Sequence, residues 1–163
     1  MLFAMQRLLR FLPLALLLGL TASAHAAGLE IVRISVRWRD TDSFRRVSEY
    51  LDGQENTGGI TVLRTQPDNR VGCYWLMRLK NDGVPDARAR FELQVITPAA
   101  PEPKTFILTG DIPTGQSLFE LGVTGADWPP TKAQPPAWRL CILDADGKVL
   151  VVEKSLLWEK PAR

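Results

Sequence analysis

Imidazole is all but missing from this chain. His25 is its single histidine, and it lies in an apolar N-terminal stretch that reads as an export signal. With that stretch removed, no histidine is left to serve as the base of a Ser-His-Asp or Cys-His nucleophile system. The usual histidine-containing zinc and copper sites are excluded with it. Methionine is nearly as scarce: Met1 and Met5 leave with the same stretch and Met77 stands alone, too few for a methionine-rich copper carrier. The two cysteines, Cys73 and Cys141, are too far apart for a Cys-x-x-Cys redox or metal motif. Charge of neither sign is in excess. The chain carries 20 Lys+Arg against 18 Asp+Glu, and two of the cations, Arg7 and Arg10, belong to the N-terminal stretch. The balanced remainder has no electrostatic footprint for nucleic acid or an anionic membrane surface.

Only one long apolar run is present, and it explains the missing charge. In MLFAMQRLLRFLPLALLLGLTASAHAAG, Arg7 and Arg10 form a positive end, Phe11 to Leu20 an apolar core, and Ala24-His25-Ala26 a small-x-small cleavage pattern. The run falls short of the roughly 20 apolar residues that span a bilayer, and Pro13 and Gly19 interrupt it. The expectation is a signal peptide over 1–26 and a mature domain over 27–163, of 163 − 26 = 137 residues, with no integral membrane span. No cysteine near the cleavage region offers a lipoprotein anchor. The expected location is therefore the periplasm or outside the cell.

A chain of that length matches the commonest size of one domain. Its patterning has period two, the mark of half-buried strands. In EIVRISVRW, Val32, Ile34, Val36 and Trp38 alternate with Arg33, Ser35 and Arg37; in ARARFELQV, Ala89, Phe91, Leu93 and Val95 alternate with Arg88, Arg90, Glu92 and Gln94. ITVLRT (60–65), VGCYWLMRLK (71–80), KTFILT (104–109), SLFELGV (117–123), WRLCIL (138–143) and KVLVVEK (148–154) read as further strands. Asn81-Asp82-Gly83 and Asp144-Ala145-Asp146-Gly147 supply residues that tolerate the positive φ of tight hairpins. The proline-rich pieces TPAAPEPK (97–104) and WPPTKAQPPAW (128–138) suit connections that cross between sheets. One short helix fits near 43–52, with Phe44, Val47 and Leu51 at helical spacing and Gly53 to end it; an edge strand fits there nearly as well.

The predicted fold is all-β, an antiparallel sandwich of about seven or eight strands. With Cys73 on an early-middle strand, Cys141 on a late one and Trp75 beside the first, it resembles exported immunoglobulin-like or fibronectin-like domains at the level of architecture. Arg139 stands two residues before the second cysteine, where antibody domains carry tyrosine, so the resemblance stops at architecture.

Exported cysteines normally pair, and a Cys73–Cys141 bridge closing a long loop would stabilise the fold by roughly 4 kcal/mol. Face parity opposes it. Cys73 shares the expected core face of its strand with Val71, Trp75, Met77 and Leu79, whereas Cys141 alternates against Trp138, Leu140 and Ile142. A bulge between Trp138 and Cys141 would reconcile the two; two unpaired buried thiols are the alternative.

Few constellations suggest chemistry. DADGK resembles part of a calcium loop, but its first ligand position would fall on Ile142, so it reads as a hairpin turn. Glu49, Asp52 and Glu55, like Asp40 and Asp42, lack the apolar setting that raises a general acid's pKa and read as solvated surface charge. Tryptophan is the more suggestive residue. Trp38, Trp75 and Trp138 follow strand patterns and Trp158 closes the last strand, but Trp128, beside Asp127 in the loop TGADWPP, is stiffened by two prolines. Two readings compete there: a preorganised contact with ligand or partner through Asp127 and Trp128, or a ring that tucks back to plug the sandwich. The functional expectation is a non-catalytic exported module, without cofactor or metal, that binds or supports another envelope or secreted component through that loop or a sheet edge. A carbohydrate-binding module using exposed tryptophans ranks second, and a carboxylate-dependent hydrolase third.

Overall fold

Period-two alternation becomes eight strands: β1 (Leu29–Arg39), β2 (Thr61–Arg64), β3 (Gly72–Asn81), β4 (Asp86–Thr97), β5 (Ala100–Ile112), β6 (Gly115–Thr124), β7 (Ala137–Leu143) and β8 (Val149–Lys154). The structure is a computed structural model that describes residues 28–158; the signal peptide expected at 1–26 lies outside the described residues. Sheet A has the order β1-β3-β6-β2 and sheet B the order β5-β4-β7-β8. Every pairing is antiparallel except β2 with β6. The chain changes sheet at β3→β4, β5→β6 and β6→β7. The result is an all-β, immunoglobulin-like sandwich.

The core is what alternation dictates. Trp75, Leu79, Phe91, Leu93, Leu121 and Leu140, from the two central strands of each sheet, are fully buried. Trp75 is its centre, edge-on to Trp128 and Trp138 with 6.4 Å between ring centroids in each case. Phe91 and Phe119 meet across the sheets at 5.3 Å.

Three local expectations are corrected, and the short helix expected near 43–52 stands in reduced form. Val32 does not join Ile34, Val36 and Trp38, because a bulge between Ile31 and Arg33 reverses the facing of β1 and leaves Val32 47% exposed. Asn81-Asp82-Gly83 turns a corner between sheets, not a hairpin within one. There the buried Asn81 amide donates to Val84 O at 2.8 Å and its carbonyl accepts from Gly83 N–H at 3.0 Å. The segment 97–104 is a hairpin within sheet B, closed by Thr97 opposite Ala100, with Pro101 and Pro103 on edge strand β5, where a missing N–H is tolerated. The helix is a single turn, α1 (Glu49–Asp52), after a 3-10 turn at Asp42–Phe44, and ends on Gly53 in the left-handed region at φ 69°. One turn cannot lay down an apolar stripe, so Val47 and Leu51 remain exposed.

Other expectations stand. The segment 128–138 does cross between sheets, and Asp144-Ala145-Asp146-Gly147 is the β7–β8 hairpin turn. There the Asp144 carboxylate accepts backbone N–H bonds from Asp146 and Lys148, and Gly147 takes φ 85°.

Candidate functional site

The residues singled out in sequence do not converge on one place. Trp128, following a 3-10 turn at Gly125–Asp127, tucks inward: it is 4% exposed, meets Trp75 edge-on, and donates its indole N–H to Thr131 O at 3.1 Å. Two prolines after it stiffen the loop, but they press the ring into the sandwich end because so much apolar surface gains more from burial than from solvent. Of the two readings of Trp128, the structure shows the ring that tucks back into the sandwich end. Its edge forms the floor of an end cleft with Trp38, Val71 and Pro129, and Lys132 sits with Nζ 4.9 Å from the centre of the Trp38 ring. Asp127 is half-buried and lies outside the lining of that cleft.

The Cys73–Cys141 bridge is not formed; both are free, buried thiols. β7 pairs with β4 without a shift from Leu143 to Ala137, so no bulge turns Cys141 inward. Cys141 faces out of sheet B while Cys73 faces the core. Burial pushes the Cys73 thiol up to about 12 and raises that of Cys141 too, which removes both from nucleophilic chemistry near neutral pH.

Of the expected surface carboxylates, Glu49 and Glu55 are half-buried in ion pairs, whereas Asp42 is exposed. The segment 40–60 straps over the outer face of sheet A, and what it covers is Tyr74. That tyrosine points outward from β3 yet is fully buried, because its cross-strand neighbour on β6 is Gly122, whose missing side chain lets the ring lie down. Phe44 packs on it at 4.8 Å between centroids. The Arg39 guanidinium stacks 4.1 Å from the centre of the Phe44 ring and pairs with Glu120 at 2.6 Å. The Tyr74 hydroxyl donates to Arg70 O at 2.8 Å and accepts from Arg64 Nε at 3.0 Å. Arg64 in turn grips Glu55 with both terminal nitrogens, and Arg70 reaches Glu49 and Glu55. Hydrogen bonds from Arg64 hold the Glu55 carboxyl below its ordinary value despite burial, the reverse of what a general acid needs. Asp86 is the carboxyl pushed up, by burial and by Asp144 and Asp146 in the hollow at the other end of the sandwich. Among the described residues no cluster of His, Cys, Asp and Glu could hold a metal ion.

The strap leaves part of sheet A open. Beyond it the outward rows run Arg33–Arg78–Leu118 and Ser35–Leu76–Glu120 across β1, β3 and β6, with Arg37 on the next row beside Tyr74. Ile60, Leu76 and Leu118 line an open groove of about 200 Å³ with Arg33 and Arg78 beside it. Arg39, Arg64, Arg70 and Arg90 each meet a carboxylate. Arg33, Arg37 and Arg78 have no ion-pair partner among the described residues. Sequence reasoning saw the arginines of β1 but not this site, because the opposition of Arg33 and Arg78 depends on a register set by the β1 bulge.

Among solved structures the chain is similar to an immunoglobulin-like protein from Pseudomonas aeruginosa, at 16% identity and a TM-score of 0.31, over 80% of this chain and 96% of that one. No family model matches the chain. No curated protein matches it either. The fold assignment therefore rests on the strand pairing itself.

Proposed function

We propose that this chain is an exported, non-catalytic β-sandwich module that holds another envelope or secreted component, and that the holding surface is the open part of sheet A. The supporting observation is the pairing of Arg33 directly opposite Arg78, with no ion-pair partner for either among the described residues, beside a groove walled by Ile60, Leu76 and Leu118. Like charges opposite each other weaken a sheet, and stability gives no reason to place them there. Export is supported by the N-terminal sequence, and a non-catalytic role by the missing imidazole base and the paired carboxylates. A carbohydrate module would need two open, coplanar rings. Trp75, Trp128 and Trp138 are buried, and the half-buried Trp38 carries Lys132 over its face, which favours a protein partner over a glycan.

The test is native mass spectrometry of tagged chain recovered from the envelope of its own host, beside a Leu118→Asp variant. The proposal expects a stoichiometric companion on the wild type that Leu118→Asp loses. A bare monomer, or a companion held equally by both, contradicts it.

A further inference from the structure

Resting on that reading, we infer that the open face of sheet A receives an extended acidic peptide segment of a partner protein, with carboxylates on Arg33 and Arg78 at one end and on Arg37 at the other, and an apolar side chain in the groove between them. The rows of the sheet set this spacing. Arg33 and Arg37 are four residues apart on β1, about 13 Å along a strand, so an extended segment with acids four residues apart matches them. The row between carries Ser35 and the half-buried Leu76, and Leu118, 42% exposed, walls the groove.

Charge complementarity selects the occupant. Glu120 lines the same groove but is buried and held by Arg39 at 2.6 Å, so its charge is answered by Arg39 and not by the Arg33/Arg78 pair. Two adjacent guanidiniums present parallel N–H donors to a carboxylate. An anionic membrane fits less well. Glu30 lies on β1 opposite Lys80, and Lys80 is itself engaged by Asp82 at 2.7 Å. The groove holds one or two side chains, not a flat surface of headgroups.

Arg78→Glu separates function from folding. It converts a like-charge pair into an opposite-charge pair, so it raises the thermal midpoint slightly while removing the recognition site. The probe is a dye-labelled peptide with a Glu-Thr-Leu-Thr-Glu core, read by fluorescence polarisation at low salt beside its Gln-Thr-Leu-Thr-Gln counterpart. The expected result is saturable binding that weakens about tenfold or more with the Gln peptide, with Arg78→Glu and with Arg33→Gln/Arg78→Gln, and weakens again as salt is raised. Equal binding of both peptides, no binding, or sedimentation with phosphatidylglycerol vesicles by a chain indifferent to the peptide overturns the inference. In host envelopes, a companion lost with Leu118→Asp but kept with Arg78→Glu overturns the acidic segment and leaves the binding face standing. A companion kept by both overturns the two together.

Discussion

Gly122→Ala tests the way sheet A is covered. A Cβ at that position would lie 2.5 Å from Tyr74 Cε1 and 2.8 Å from Cζ, where carbon atoms normally approach to about 3.5–4.0 Å. The ring must therefore lift by about 1 Å, and nothing above it yields freely. Phe44 packs on it at 4.8 Å, and its hydroxyl is held by Arg70 O and Arg64 Nε. Overpacking of this kind costs about 1–3 kcal/mol, and a weakened hydrogen bond adds about 1 kcal/mol. The expected loss is about 2–4 kcal/mol, measured by urea unfolding, and each kcal/mol lowers the thermal midpoint by roughly 3–5 °C in a domain of this size. In a Tyr74→Ala background the added methyl enters vacated space, so the same change should cost less than about 1 kcal/mol and leave a coupling of about 1 kcal/mol or more. A cost below about 0.5 kcal/mol, or an equal cost in both backgrounds, would refute the reasoning.

Three further outcomes follow from named contacts. Hydrogen bonds from Arg64 depress the Glu55 carboxyl, so its contribution to strap docking is complete above the ordinary glutamate value of about 4.3 and is lost as pH falls through the lower folded value. Protection of amides 40–60 against hydrogen exchange, corrected for the intrinsic rate at each pH, should fall across that window in the wild type but not in Glu55→Gln; identical profiles would count against the latch. Both thiols are free, so the intact mass under non-reducing conditions should show no loss of two protons, and iodoacetamide should label both cysteines only after unfolding; a bridged mass would contradict this. Trp128→Ala removes a ring packed on Trp75 and should destabilise by about 3–5 kcal/mol in denaturant; a loss under about 1 kcal/mol would return the residue to the surface.

Much of the fold was legible because alternation survives in the strands. Trp75, Phe91 and Leu93 face the core where their spacing put them, and the parity of Cys141 opposed the bridge that export alone suggested. What sequence did not reveal depends on partners distant along the chain. The Val32 bulge exists only relative to β3. The strap is visible only once Tyr74 and Gly122 are known to be neighbours, since an outward tyrosine on a strand otherwise reads as exposed. For the same reason Glu49 and Glu55 looked solvated until Arg64 and Arg70 came beside them. Trp128 was ambiguous between plug and contact because the loop sequence does not say which way a stiff turn aims; its edge-on packing against Trp75 shows the inward direction. The opposed arginines follow from register, and register is a property of two strands together.

Site-specific photo-crosslinking in the envelope of the host tests the central claim most directly, with the reactive residue at Ser35 in the open face of sheet A and, separately, at Ile107 on the outer face of sheet B. The account predicts a single adduct of defined mass from Ser35 and none from Ile107. Adducts of equal yield from both faces, or an adduct from Ile107 alone, would contradict it.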